Sequence, residues 1–343
     1  MTLEELLTIA VEKRATDVHL TSGISPRCRV NGQIVELTDE KIDSAEIGRL
    51  IEYYLTDDVK ERFIKNGEAD FSYSLPSIGR FRVNLFRQRG NLAASIRLFP
   101  KKIPTPEDLK LPAGIVEMTR QLRGLTIVTG PTGGGKTTTL ASLIDEINHT
   151  SSVHIITIED PIEYLYHHDR AIVNQREIGI DTMSYKDALY AALREDADVI
   201  FVGELDCCDT VNLALMAAET GHMVFTAMHT MDCVSAIQRI IDMFPPYNQP
   251  QIRSQLGNVL NAVICRQLLP GVQGKGRVPA FEVVYNNAEV KQLLMEDKVA
   301  LIPTAMKRGR AEGMQLMDDA IYNLYLRQEI DEETMKKYSG EQV

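Results

Sequence analysis

The sequence predicts an α/β fold: a P-loop domain on a parallel central sheet, preceded by a smaller α+β domain. Three observations carry this. From residue 124 onward, short wholly apolar runs alternate with helical stretches, the pattern of a parallel sheet covered on both faces. A glycine-rich loop follows the first of those runs. The first hundred residues instead alternate with period two, as antiparallel strands with one wet face do.

Taken in order, Leu3, Leu6, Leu7, Ala10 and Val11 recur at helical spacing and predict a helix over 3–14. The segment RCRVNGQIVEL (27–37) is two short runs around Asn31-Gly32, the strongest short hairpin signal. Helices are predicted over 43–55 and 57–67, the second stopped by Gly67. Period two returns from Ala69 to Phe99, with turns at Pro76–Gly79 and Gly90-Asn91. Residues 1–100 are therefore expected to form the N-terminal domain. Four prolines (Pro100, Pro104, Pro106, Pro112) then exclude a helix or a central strand and suggest a linker over 101–118. The remainder, 119–343, is expected to be the second domain. Its strands are LTIVTG (125–130), VHIITI (153–158), VIFVG (199–203), MVFTAM (223–228) and, after a Gly-rich turn, VPAFEVVY (278–285). From about 286 the chain reads as mostly helical.

Composition bounds the function. At 343 residues, 44% hydrophobic and 25% charged, the chain has material for about two cores at roughly 150 residues per domain. A net charge of −11 opposes non-specific binding to nucleic acid or to an anionic membrane. No stretch approaches the roughly 18 apolar residues of a spanning helix. The acidic amphipathic N-terminus is unlike a signal peptide, so a cytoplasmic protein is expected. The five cysteines form no CxxC pair, and adjacent Cys207 and Cys208 are poorly placed for a disulfide.

The loop GPTGGGKT (Gly130, Pro131, Thr132, Gly133, Gly134, Gly135, Lys136, Thr137) matches G-x-x-x-x-G-K-[ST] in full, between a strand and a helix that continues through Thr138. Such a loop wraps backbone N–H groups around a β-phosphate, and the helix N-terminus adds partial positive charge. Lys136 is expected to reach the β- and γ-phosphates of ATP, and Thr137 to offer its hydroxyl to Mg²⁺. Ligand chemistry in such sheets gathers at the carboxyl ends of the strands. There stand Glu159-Asp160-Pro161-Ile162-Glu163, then Gly203-Glu204, then His229. Glu204 is the first choice to orient a hydrolytic water and Glu163 to serve the metal shell, or the reverse. Glu159 and Asp160 either join them or cap a turn. His229 is a candidate phosphate sensor. His222 lies seven residues earlier, roughly 23 Å along an extended chain. It belongs to the far edge, to a subunit contact, or is a satisfied polar side chain. Arg80, Arg82, Arg87, Arg89 and Arg97 form either a solvated sheet face or a source of arginine fingers.

With GPTGGGKT, the segments IEDPIEY, VNQREIGIDTMSYKDALYAALREDADVIFVGE and AAETGHMVFTAMHT resemble the bacterial secretion ATPases, most closely the PilT-type motors of type IV pilus retraction. The resemblance implies a PAS-like N-terminal domain, a RecA-like ATPase domain, a homo-hexamer and a membrane platform protein as partner. It also implies peripheral attachment at the inner face of the cell membrane through that partner, and allows a paralogous motor as a second one. Onto this sequence it carries nucleotide-site roles for Lys136, Thr137, Glu163, Glu204, His222 and His229, and arginine-finger roles for Arg82 and Arg97. Two departures stand out. The family's Met-Arg-Asp after the Walker B glutamate is Leu205-Asp206-Cys207 here, and its Ala-Ile-Arg-Asn-Leu-Ile-Arg-Glu motif is Glu289–Glu296, without either arginine. They motivate a second reading, an accessory subunit that binds nucleotide with weak hydrolysis. A nucleic-acid translocase is a third, and no basic stripe supports it.

Overall fold

A computed structural model describes residues 1–75, 78–272 and 276–340. The expected turn at Pro76–Gly79 falls partly outside them, as do 273–275 of the Gly-rich turn. The chain divides into two compact units, Met1–Lys102 with Pro161–Leu165, and Ile103–Asp160 with Tyr166–Val343.

The first unit is an antiparallel sheet with helices. Its strands are β1 (Asp17–Thr21), β2 (Arg27–Val30), β3 (Gln33–Glu36), β4 (Glu68–Leu75), β5 (Gly79–Gln88) and β6 (Asn91–Leu98), in the order β3-β2-β1-β6-β5-β4. Val30 pairs with Gln33 across the Asn31-Gly32 turn, as the hairpin signal required. The helix Leu3–Glu12 starts at a reciprocal capping box between Thr2 and Glu5. The helices Ser44–Glu52 and Asp57–Asn66 follow the two other predicted helical segments. Period two decides what is buried: on β5, Phe81, Val83 and Leu85 face the core with Leu6, Leu7, Ile47 and Ile51.

The second unit holds a seven-stranded sheet. Its strands are β7 (Gly124–Thr129), β8 (His154–Glu159), β9 (Ile172–Glu177), β10 (Val199–Val202), β11 (Met223–Ala227), β12 (Leu260–Pro270) and β13 (Arg277–Tyr285), in the order β13-β12-β7-β11-β10-β8-β9. All neighbours are parallel except β12 and β13. Every residue of β7, β10 and β11 is buried, Thr126, Thr129 and Thr226 included, which is why these strands read as predominantly apolar runs. Full burial of Phe225 or Ile127 contributes roughly 1.5–3 kcal/mol each.

Two strands escape the sequence reading. Edge strand β9, IVNQRE, is mostly polar. β12 follows the helix Gln249–Val259 directly, and the nearby glycine, Gly257, lies inside the helix rather than between the two elements. Among the described residues, no helix is long and apolar enough to cross a membrane.

Candidate functional site

The parallel strands deliver their following segments to one edge of the sheet. The phosphate loop connects β7 to the helix Lys136–Thr150, so Lys136, Thr137 and Thr138 form its first turn, where backbone N–H groups lack helical acceptors. Lys136 is only 6% exposed. Its Nζ donates to the carbonyl oxygens of Gly130 at 3.0 Å and Pro131 at 3.1 Å. A Cβ on Gly130 would sit 2.2 Å from the backbone oxygen of Arg266, and its φ of 139° is one that L residues rarely adopt. The loop is thus closed from behind by backbone, with a buried cation at its end. That arrangement fits a phosphorylated anion.

β11 lies beside β7, and β10 beside β11, so the segments after them stand next to the loop. Thr129, the last residue of β7, takes the Thr230 backbone N–H on its Oγ1 at 3.0 Å and meets the Thr230 hydroxyl at 2.8 Å. This clasp positions His229. His229 Nε2 lies 3.9 Å from Glu204 Oε1, too long for a direct hydrogen bond and an ion pair only when the ring is protonated. Burial lowers the His229 pKa first and the Lys136 charge lowers it further, while Glu204 opposes both. Lys136, Glu204 and His229 therefore share one field.

Beside them is a tyrosine that motif reading missed. Burial, then the charges of Asp160, Glu204, Glu159 and Asp206, hold the Tyr185 phenol protonated, well above its usual range. A Cβ on Gly203 would meet that hydroxyl at 3.0 Å, which places it just before Glu204. Glu159 is buried and ties β8 to its neighbour, accepting from the Thr157 hydroxyl at 2.7 Å and from Gln175 Nε2 at 3.3 Å. Asp206 accepts from the Thr210 hydroxyl at 2.6 Å, bracing the turn into the helix Cys208–Glu219. On the helix Ala288–Met295, Glu289 pairs with Arg308.

His222 does not join the loop. It precedes β11, and Gly124, the first residue of β7, donates its N–H to the His222 carbonyl at 3.0 Å. Both lie at the amino ends of parallel strands, opposite the end that carries Lys136, so His222 stands at the far edge its spacing from His229 indicates. The His222 ring is held locally, Nδ1 lying 3.0 Å from the Ala217 carbonyl oxygen.

The remaining expected residues belong to the first unit. Glu163 lies in Pro161–Leu165. The carbonyl oxygen of adjacent Ile162 accepts from Arg80 Nε at 2.6 Å, and Arg80 also donates to Ser72 and Ser74. Arg80, not singled out from its neighbours by sequence, thus anchors the Glu163 segment. Arg82 and Arg97 stand opposite each other on β5 and β6. Arg82 grips Asp70, at 2.7 Å from Nη2, and Arg97 Nε lies 3.1 Å from Asp17. Two carboxylates relieve what would otherwise be a like-charge cross-strand pair.

A parallel α/β sheet with a lysine-bearing phosphate loop after one strand, and ionisable residues after the next two, defines a P-loop protein. The chain belongs to the Type II/IV secretion system protein family, which it matches over residues 1–341. It is 38% identical over 337 residues to the type IV pilus retraction ATPase PilT of Pseudomonas aeruginosa, covering 98% of each chain. It is 39% identical over 317 residues to a twitching motility protein of Neisseria gonorrhoeae, covering 91% of this chain and 85% of that one. The crystal structure of the pilus retraction motor PilT with bound ADP superposes with a TM-score of 0.93 at 42% identity, covering 100% of this chain and 98% of that one.

Proposed function

We propose that the chain is an ATPase motor that hydrolyses ATP to ADP and phosphate to drive type IV pilus retraction. The observation that carries this is the buried Lys136 in its phosphate loop, with Glu204 and His229 at the neighbouring strand ends. The loop N–H groups of 133–137 and Lys136 hold the β- and γ-phosphates. Glu204 accepts the proton of the attacking water as the bond from the γ-phosphorus to the bridging oxygen breaks. His229, kept neutral at physiological pH by burial and by Lys136, reads the γ-phosphate as a hydrogen-bonding partner rather than as a charge. Thr137 would offer its hydroxyl to Mg²⁺ and Glu163 would serve as the metal-shell carboxylate; the ion would neutralise charge on the phosphate oxygens. Arg82 and Arg97 are the proposed fingers, and each must first release Asp70 or Asp17.

The similarity to pilus retraction proteins supports a homo-hexamer working through an inner-membrane platform protein, with the motor held peripherally at the cytoplasmic face. Asp206 favours a second reading, a nucleotide-binding accessory subunit of such a motor, because a carboxylate beside Glu204 opposes a polyanion. Mg²⁺-dependent hydrolysis by wild type, Lys136→Ala and Glu204→Gln, over a range of protein concentrations, separates the two. A motor turns over steeply with concentration; Lys136→Ala loses binding, and Glu204→Gln binds ATP without turnover. Full activity in Glu204→Gln refutes the role given to that carboxylate. Tight binding by wild type with no turnover supports the accessory subunit.

A further inference from the structure

Arg266 on β12 is 4% exposed, although it carries a permanent charge. Its Nη1 donates to the Gly135 carbonyl oxygen at 2.9 Å and to the Thr139 Oγ1 at 2.7 Å. Its guanidinium carbon lies 5.6 Å from the ring centroid of Phe281, its cross-strand partner on β13. Its own backbone oxygen occupies the space that a Cβ on Gly130 or Gly134 would need, at 2.2 Å and 2.8 Å. One residue therefore bounds the phosphate loop with its main chain and secures the loop's junction with the helix through its side chain.

A loop whose N–H groups converge on an anion turns its carbonyl groups outward, and buried carbonyls need donors. Lys136 serves those of Gly130 and Pro131, and Arg266 adds a charged donor at that of Gly135, which also accepts the Thr139 N–H at 2.9 Å. Thr139 links the two devices, because its hydroxyl donates to the same Gly135 carbonyl at 3.0 Å while accepting from Arg266. Desolvating a guanidinium is costly unless fixed partners compensate it. The two hydrogen bonds from Nη1 and the Phe281 ring 5.6 Å away offset part of that cost, and the fixed fork suits them better than a lysine would.

We propose that Arg266 is a positioning residue for the phosphate loop: it holds the Gly135 carbonyl and the Thr139 hydroxyl so that the loop N–H groups keep the curvature that receives the β-phosphate. This rests on nucleotide binding at the loop, as proposed above. The test is isothermal titration of the full chain with MgADP and, separately, with inorganic pyrophosphate, for wild type, Arg266→Ala, Arg266→Lys, Thr139→Val and Lys136→Ala. Losing a charge-assisted hydrogen bond predicts about tenfold weaker binding for Arg266→Ala, with Arg266→Lys intermediate and Thr139→Val about threefold weaker. Both ligands should weaken by the same factor, because the loss is local to the β-phosphate. The KM for ATP should rise in the same order.

A merely structural role would lower the fraction of competent protein and leave its Kd unchanged, and that result overturns the proposal. If Arg266→Ala does not fold, Arg266→Lys and Thr139→Val decide, and wild-type affinity in both overturns it. Lys136→Ala keeps the two claims apart. Wild-type MgADP affinity in Lys136→Ala refutes the nucleotide reading itself, whereas loss there with unchanged Arg266 variants refutes only the role of Arg266.

Discussion

Replacing Gly130 by alanine tests the loop's architecture without touching its chemistry. The added Cβ would lie 2.2 Å from the Arg266 oxygen and 3.2 Å from its carbon, both main-chain atoms of a strand that cannot rotate aside. The φ of 139° adds backbone strain of about 1–3 kcal/mol. Gly133→Ala is the matched control: its φ is 76°, so it also carries strain, but nothing lies within 4 Å of its Cβ. The overlap with Arg266, which overpacking places at about 1–3 kcal/mol, is the main difference between the two variants, and φ 139° adds strain beyond that of 76°. At about 2–4 °C per kcal/mol for a unit of this size, Gly130→Ala should melt about 2–12 °C below Gly133→Ala. Thermal melts followed by circular dichroism, without nucleotide, read this directly. Coincident melting of the two variants would refute the close approach of β12 to the loop.

The His229 ring should titrate higher in Lys136→Met, where an opposing cation is gone, and lower in Glu204→Gln; NMR titration with His229→Asn for assignment checks the order, and the reverse order rejects the shared field. Because folded His229 binds its proton less readily than the unfolded chain, stability should fall as pH drops below the ordinary value of 6.5, the loss being complete below the folded pKa, and His229→Asn should flatten that slope in melts taken across the window. At mildly alkaline pH, thiol labelling read by mass spectrometry should modify Cys207 and Cys208 quickly and Cys28, Cys233 and Cys265 only on unfolding, since those three are buried and their pKa values are raised; a third fast label contradicts this. Buried Glu282 accepts the Cys233 N–H at 2.7 Å, and burial raises its pKa. Glu282→Ala should therefore cost about 2–4 kcal/mol in denaturant unfolding, whereas Glu282→Gln, which keeps the acceptor, should cost less; equal losses would show the hydrogen bond to be immaterial.

The sequence by itself determined the parallel α/β class, the hairpin at Asn31-Gly32, the phosphate loop, and the strand ends that carry Glu204 and His229. These are local signals. Strands buried on both faces must be largely apolar, and a loop that wraps a phosphate must be rich in glycine before its lysine. β9 and β12 carried no such signal, because a polar edge strand and a strand continuing straight from a helix lack a distinctive period. Only the tertiary structure decided that Arg266 reaches the loop 131 residues back in the chain and that Tyr185 sits among four carboxylates. Each depends on which strands become neighbours and in which register. Pairing is set by long-range burial summed over the whole sheet, so no short window of sequence contains it.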